Sequence, residues 1–309
     1  MPRNRKPKDA TLFDVILVGN YSIDVNTCLG EQISNSLGGA PVYSGSIFTL
    51  FGNRTALFSQ IGFDYYEEAV QFCRIRGIDF RGLRRLPQRT LAFENTYDDE
   101  GNRRQKCFNT TPKLLFKELP REYFDSKAFY IAPIMGEVDL ELLKELRRKE
   151  ITLMLDPQGL MRNIGEEGRI ELTFNQGELE PVFELVDIVK IGNDEFQASN
   201  MEVKDVMEWL KDIGVSVGIV TRGKEKVTIA SKNTIIEVPT INVAVEDPTG
   251  AGDVFGAAFL SEYLRGYDAA EAAKIANIAA GLKIRYKGPN GFPTRREVLR
   301  HKALQEDLL

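Results

Sequence analysis

Short, predominantly apolar runs recur along this chain, with helical patterns between them, and that rhythm limits the folds open to it. Residues 15–18, 129–134, 151–155, 186–191 and 217–221 are each too short for a buried helix and read as buried strands. Residues 139–149 and 203–213 space their apolar side chains as helices do. Asp64 with Glu67 reads as a capping box opening a helix over 65–76, and Thr294 with Glu297 as another near the C-terminus. Strands alternating with helices imply an α/β fold with a mainly parallel central sheet covered on both faces. With 309 residues, 43% of them hydrophobic, the chain has material for such a core.

Two segments break the rhythm. Residues 25–37 and 89–108 are strand-like and polar, and no helix follows either. The second reads as a hairpin, 90–97 and 103–108, turning at Asp98-Asp99-Glu100-Gly101-Asn102. Together they predict a small β lid beside the main sheet. No repeat, low-complexity stretch or long linker interrupts the chain, so a single domain is expected over 12–309. A flexible tail is expected over 1–11, where Arg3, Arg5, Lys6 and Lys8 stand.

Charge and composition remove several function classes. Forty basic against 45 acidic residues give a net charge of −5, with no overall attraction to nucleic acid or to an anionic membrane. The single histidine, His301, reads as a solvated residue of a terminal helix and leaves no Ser/His, Cys/His or multi-histidine metal system. Cys28, Cys73 and Cys107 lie far apart, as reduced thiols of a cytoplasmic protein do. No apolar run has the length of a membrane span, and the N-terminus lacks an apolar signal core.

The chemistry concentrates in Asp247-Pro248-Thr249-Gly250-Ala251-Gly252-Asp253, which follows a β-like stretch at 235–245 and runs into a helical pattern at 254–263. Small residues let the backbone approach a ligand, and the amides of Gly250, Ala251 and Gly252 at a helix start form an anion site. Asp253 then sets a carboxylate beside that anion. Its natural task is to accept a proton from a hydroxyl attacking phosphorus. Neither the dinucleotide glycine fingerprint nor the Walker pattern is present.

This signature resembles that of the ribokinase family, the PfkB group of carbohydrate kinases, and the resemblance extends from Val15 to about Val298. It implies a ribokinase-like three-layer α/β/α domain with a small β lid, ATP and Mg2+ as donor and cofactor, and sugar-like alcohols as acceptors. Asp24, in Gly19-Asn20-Tyr21-Ser22-Ile23-Asp24, matches the residue that binds acceptor hydroxyls, and Gly38-Gly39-Ala40-Pro41 resembles the turn against which the acceptor lies. Thr221 and Gly223 resemble a turn beside the nucleotide phosphates, Asn277 a residue lining the adenine pocket, and Gly288 the start of a loop completing that side. That loop, 288–293, with Asp247 and the carbonyl of Thr249, also implies a monovalent cation such as K+. A homodimer formed through the lid belongs to the same set of expectations.

Two departures bear on specificity. The resemblance implies Asn-x-x-Glu after a strand, with the Glu organising Mg2+ through water. Here Gly192 holds the Asn position while Glu195 keeps the Glu. Tyr43 stands where an Asn usually touches the acceptor. An aromatic at that place, Gly136-Glu137-Val138 after a strand, and Asp156 followed by Gln158 and Arg162 are similar to inositol kinases of this group. They imply myo-inositol as acceptor, bound by Asp24, Gly38, Gly39, Tyr43, Gln158 and Arg162. Ribose-like sugars, 2-keto-3-deoxygluconate and nucleosides stay open as alternatives. A non-catalytic sugar or nucleotide binder on the same fold is the competing reading; Asp253 counts against it, since a binder has no use for a base beside an anion.

Overall fold

The structure, a computed structural model, describes residues 11–28, 31–97, 103–147, 150–232 and 234–306. The tail expected over 1–11 and the turn at 98–102 fall almost wholly outside them. In chain order the strands are β1 (Phe13–Val18), β2 (Ser22–Cys28), β3 (Glu31–Gly38), β4 (Thr55–Gly62), β5 (Asp79–Leu86), β6 (Ala92–Tyr97), β7 (Arg103–Phe108), β8 (Ser126–Ile131), β9 (Thr152–Leu155), β10 (Arg162–Ile164), β11 (Ile170–Leu172), β12 (Ile188–Ile191), β13 (Val217–Val220), β14 (Val227–Ser231) and β15 (Thr234–Val238). The helices are α1 (Ala40–Leu50), α2 (Tyr66–Arg76), α3 (Leu140–Arg147), α4 (Gln158–Met161), α5 (Gln176–Phe183), α6 (Asn193–Ser199), α7 (Val203–Asp212), α8 (Ala251–Leu264), α9 (Ala269–Lys283) and α10 (Arg295–Glu306).

Among the described residues nine strands form one sheet in the order β15-β14-β13-β12-β9-β8-β1-β4-β5. The seven from β13 to β5 are parallel, and β14 and β15 extend one edge antiparallel. Strand β1 shows why the sheet needs two covers. Val15 and Leu17 pack into the core shared with α1, α2, α8 and α9, whereas Ile16 and Val18 pack with α3, α5 and α7. All four are fully buried. Each such side chain contributes about 1.5–3 kcal/mol of transfer free energy against the entropy of ordering the strand. The fold is therefore the α/β arrangement with a mainly parallel sheet that the strand and helix rhythm implied, in keeping with the domain the resemblance implied.

A second sheet, ordered β3-β2-β6-β7, is made of the two segments that broke the rhythm. Each contributes an antiparallel pair, and the two pairs meet along a parallel seam from Ile23↔Ala92 to Cys28↔Tyr97. Leu91, Phe93 and Cys107 pack with Ile134 of the main body in a small apolar cluster, which seats the second sheet over the strand ends.

Two local expectations differ from the structure. Asp64 does not cap α2: Tyr65 stands at the N-cap with no side-chain bond, and Asp64 Oδ1 instead accepts from the Thr90 amide and hydroxyl at 2.9 and 2.7 Å. The carboxylate is thereby spent on fixing the entry to β6. The β-like stretch at 235–245 leaves the sheet after Val238, where Pro239 has no amide to donate. The Thr294–Glu297 capping box forms as expected, with both the Thr294 amide and hydroxyl on Glu297 Oε2 at 2.7 Å. Among the described residues no helix is long and apolar enough to cross a membrane.

Candidate active site

Parallel strands end together, and their carboxyl ends open a crevice that the turns into the next elements must line. Here β1 runs into Asn20, β9 into Asp156 and β12 into Gly192, while the second sheet overhangs the same end. The glycine turn reaches this crevice from the start of α8. Gly250, its N-cap, has φ 76°, and a Cβ there would lie 2.1 Å from the Tyr43 ring. Glycine is required on both counts. Tyr43 is 2% exposed and packs edge-on against Phe292. It forms the floor of the turn, a supporting place beside the acceptor contact expected for it. The Ala251 amide is spent on Pro248 O at 3.1 Å. Among the described residues, the Gly250, Gly252 and Asp253 amides have no backbone acceptor, so the anion site can draw on these three while Ala251 is engaged.

Asp253 lies within a compact group of charges. Burial and the neighbouring Asp156 push its pKa up to about 7; Lys190 and Arg162 oppose the rise, and Asp24 adds to it. A carboxylate poised near neutrality suits proton acceptance. The Ser44 hydroxyl donates to the Asp253 carbonyl at 3.0 Å and ties α1 to α8. Lys190 Nζ pairs with Asp156 Oδ2 at 2.6 Å, both side chains being 3% exposed. A Cβ on Gly252 would lie 3.1 Å from that ammonium, so a buried cation sits directly under the glycine turn. Glu195 is also buried, and burial together with Asp156 raises its pKa. Its carboxylate folds back over residue 192, where a Cβ would lie 2.3 Å from Oε2. Gly192 therefore gives Glu195 its position.

On the acceptor side, Asp24 is half-buried on β2 and accepts from the Ser22 hydroxyl at 3.0 Å. A Cβ on Gly38 would lie 2.2 Å from Asp24 Oδ2, and Gly39 turns at φ 83° with its missing Cβ 2.4 Å from Asn20 O. Arg162 donates to Gln158 Oε1 at 3.1 Å and to Ile134 O at 3.2 Å, and lies over the Phe93 ring. Glu137, fully buried, fixes the segment that receives Arg162: its carboxylate accepts from the amides of Asn20, Ile134 and Met135 at 2.8–3.1 Å.

On the other side of the turn, Thr221 follows β13 directly and Gly223 turns at φ 58° with open space around it. Asn277 is buried, and its amide donates to Pro239 O at 3.0 Å, strapping the 239–246 segment to α9. Asp247 joins two loops, accepting from the Thr249 amide at 2.9 Å and the Gly288 amide at 2.7 Å. These bonds hold its pKa below the usual carboxylate range although burial works against them.

Residues 9–295 match the pfkB family carbohydrate kinase profile. The chain belongs to that family. Among curated relatives, a cytidine kinase of Thermococcus kodakarensis is 27% identical over 278 residues, covering 85% of this chain and 93% of the relative. An inositol 3-kinase of Arabidopsis thaliana is 23% identical over 288 residues, covering 90% and 76%. Among solved structures, a pyrophosphate-dependent kinase in the ribokinase family, complexed with a pyrophosphate analog and myo-inositol, superposes with a TM-score of 0.79. That likeness, at 23% identity and covering 93% and 99% of the two chains, is one of fold.

The kinase carries two functional-site candidates that sequence reasoning left without a role, Asp156 and Lys190. The signal for Lys190 was present: a lysine inside a strand otherwise apolar, Ile188–Ile191, of a sheet buried on both faces needs a partner. For Mg2+, Glu195 fits. It is a carboxylate whose pKa is raised by burial and by a second carboxylate nearby, and a divalent cation would offset both. Beside the site implied for a monovalent cation, at Asp247 and Thr249, stands the ammonium of Lys283. Lys283 Nζ donates to Tyr286 O at 3.1 Å beside Asp247.

Proposed function

We propose that this kinase transfers the γ-phosphoryl group of ATP to a hydroxyl of a neutral polyol, with myo-inositol as the acceptor. The observation that carries the reading is the convergence of Asp24 and Asp253, close enough to raise the pKa of the latter, in a crevice that also holds the Gln158–Arg162 pair. Such a crevice offers acceptors and donors on several sides, as a ring bearing hydroxyls all round requires. Arg162 is engaged by Gln158 and Ile134, which leaves it poorly placed to bind a sugar phosphate.

In this mechanism Asp24 holds hydroxyls next to the reacting one. Asp253 accepts the proton as the hydroxyl oxygen attacks phosphorus. The amides of Gly250, Gly252 and Asp253, at the positive end of α8, stabilise charge on the transferred group, and Lys190 beneath them adds to that field. Mg2+ held through Glu195 would neutralise phosphate charge. Thr221, Gly223, Asn277 and Gly288 flank the donor. The second sheet closes as a lid and excludes water as a competing acceptor, and its outer face serves a homodimer.

Nucleosides are the second reading, favoured by the likeness to a cytidine kinase; Asp24 would then bind ribose hydroxyls. The deciding experiment compares kcat/KM for myo-inositol, cytidine, ribose and 2-keto-3-deoxygluconate, with ATP and with pyrophosphate as donors. Myo-inositol with ATP is expected to lead. If another acceptor exceeds it about ten-fold, a difference of about 1.4 kcal/mol in transition-state binding, the inositol assignment is wrong. Phosphoryl transfer to none of them would count against the acceptor site as drawn.

A further inference from the structure

Lys283 ends α9 with none of its surface exposed to water. A buried ammonium costs several kcal/mol unless its surroundings return that energy. The surroundings are specific: Nζ donates to Tyr286 O at 3.1 Å and lies 5.7 Å and 5.9 Å from the ring centroids of Tyr43 and Phe292. Within electrostatic reach stands Asp247, whose two oxygens hold the Thr249 and Gly288 amides. Burial lowers the pKa of Lys283 and Asp247 opposes the change, so the carboxylate sustains the charge that faces it.

This arrangement sits behind the glycine turn. Tyr43, one of the rings under the ammonium, is also the floor of Gly250. Asp247, the carboxylate beside the ammonium, begins the same loop. The positive charge thus acts on the two groups that set the turn's shape. It also stands within electrostatic reach of Asp247, one of the groups to which the sequence resemblance assigns a monovalent cation. A second cation beside Asp247 would be repelled by that ammonium, which the rings of Tyr43 and Phe292 already help to hold.

We infer that Lys283 is a covalently tethered replacement for the dissociable monovalent cation, and that phosphoryl transfer by this chain does not depend on K+. The inference rests on the kinase reading of the glycine turn, and Lys283 acts as a positioning residue because it reaches the phosphates only through that turn.

The test uses the full chain in buffer whose only monovalent cation is tetramethylammonium, with KCl then titrated in. The parent's kcat is expected to change by less than about two-fold, or about 0.4 kcal/mol, and its Tm to be the same in KCl and in tetramethylammonium chloride. Stimulation by K+ of about ten-fold or more, or a K+-specific rise in Tm, would overturn the inference. Lys283→Ala should lose about ten-fold or more in kcat and recover on addition of ammonium or methylammonium chloride, which refill the site. A purely structural lysine would show no such rescue, and a variant as active as the parent without any small cation would also overturn the inference. Absence of turnover in every salt would speak against the kinase reading instead, and the Tm comparison would then decide the cation question alone.

Discussion

Asp253 offers a test in which activity and stability move in opposite directions. Its folded-state pKa is pushed up to about 7 from an ordinary 3.8. The folded protein therefore retains a proton that the unfolded chain releases between those values, and stability falls as pH rises through that window and levels off above it. At 1.36 kcal/mol per unit, the displacement amounts to at most about 4 kcal/mol at pH 8, and to about half of that once the water reaching a half-buried carboxylate is counted. Asp253→Asn has no proton to release and removes the repulsion with Asp156 and Asp24. The variant is expected to be more stable than the parent by about 2 kcal/mol at pH 8, a rise of about 3 °C in Tm for a chain of this size. The gap should close towards pH 4. Its kcat should fall about a hundred-fold or more, because the amide cannot take the hydroxyl proton. Thermal unfolding of both proteins from pH 4 to 8, alongside rates at saturating donor and acceptor, measures all three quantities. A variant no more stable than the parent at pH 8, or a gap independent of pH, would refute the claim that a strained carboxylate sits at this turn. Unimpaired turnover would refute its role as base.

Gly250→Ala must accommodate a positive φ and a Cβ overlapping the Tyr43 ring, so it should lose about 2–4 kcal/mol in urea denaturation. A variant of parental stability would mean that Tyr43 is not the floor of the turn. Glu195→Gln should raise the Mg2+ concentration needed for half-maximal rate, and an unchanged titration would leave Glu195 with a structural role only.

The parallel sheet was legible because its strands are buried on both faces and so read as near-continuous apolar runs. The second sheet was legible for the opposite reason, since its polar segments broke the alternation with helices. Asp64 misled because an acidic residue ahead of a helix has two uses, and the sequence does not show that Thr90 lies within reach of it. Tyr43 was legible only in part: one aromatic after a glycine pair can face a ligand or support the backbone, and its place under Gly250 is not written in the sequence. The Asp156–Lys190 pair joins a residue just past β9 to one on the adjacent β12, distant in sequence, so neither alone announces the other. A lysine within the alanine-rich α9 was the comparable signal for Lys283.

The parallel seam between β2 and β6 has a consequence for synthesis of the chain. The β2–β3 pair can form as soon as residue 38 is available, yet the strand that covers the other edge of β2 begins at Ala92. Throughout the interval the hydrogen-bonding groups along that edge have no partner from their own chain, and an unpaired edge is a template for strands of other molecules. A sheet assembled from two separated excursions is thus open to misassociation between nascent chains until the second excursion has emerged.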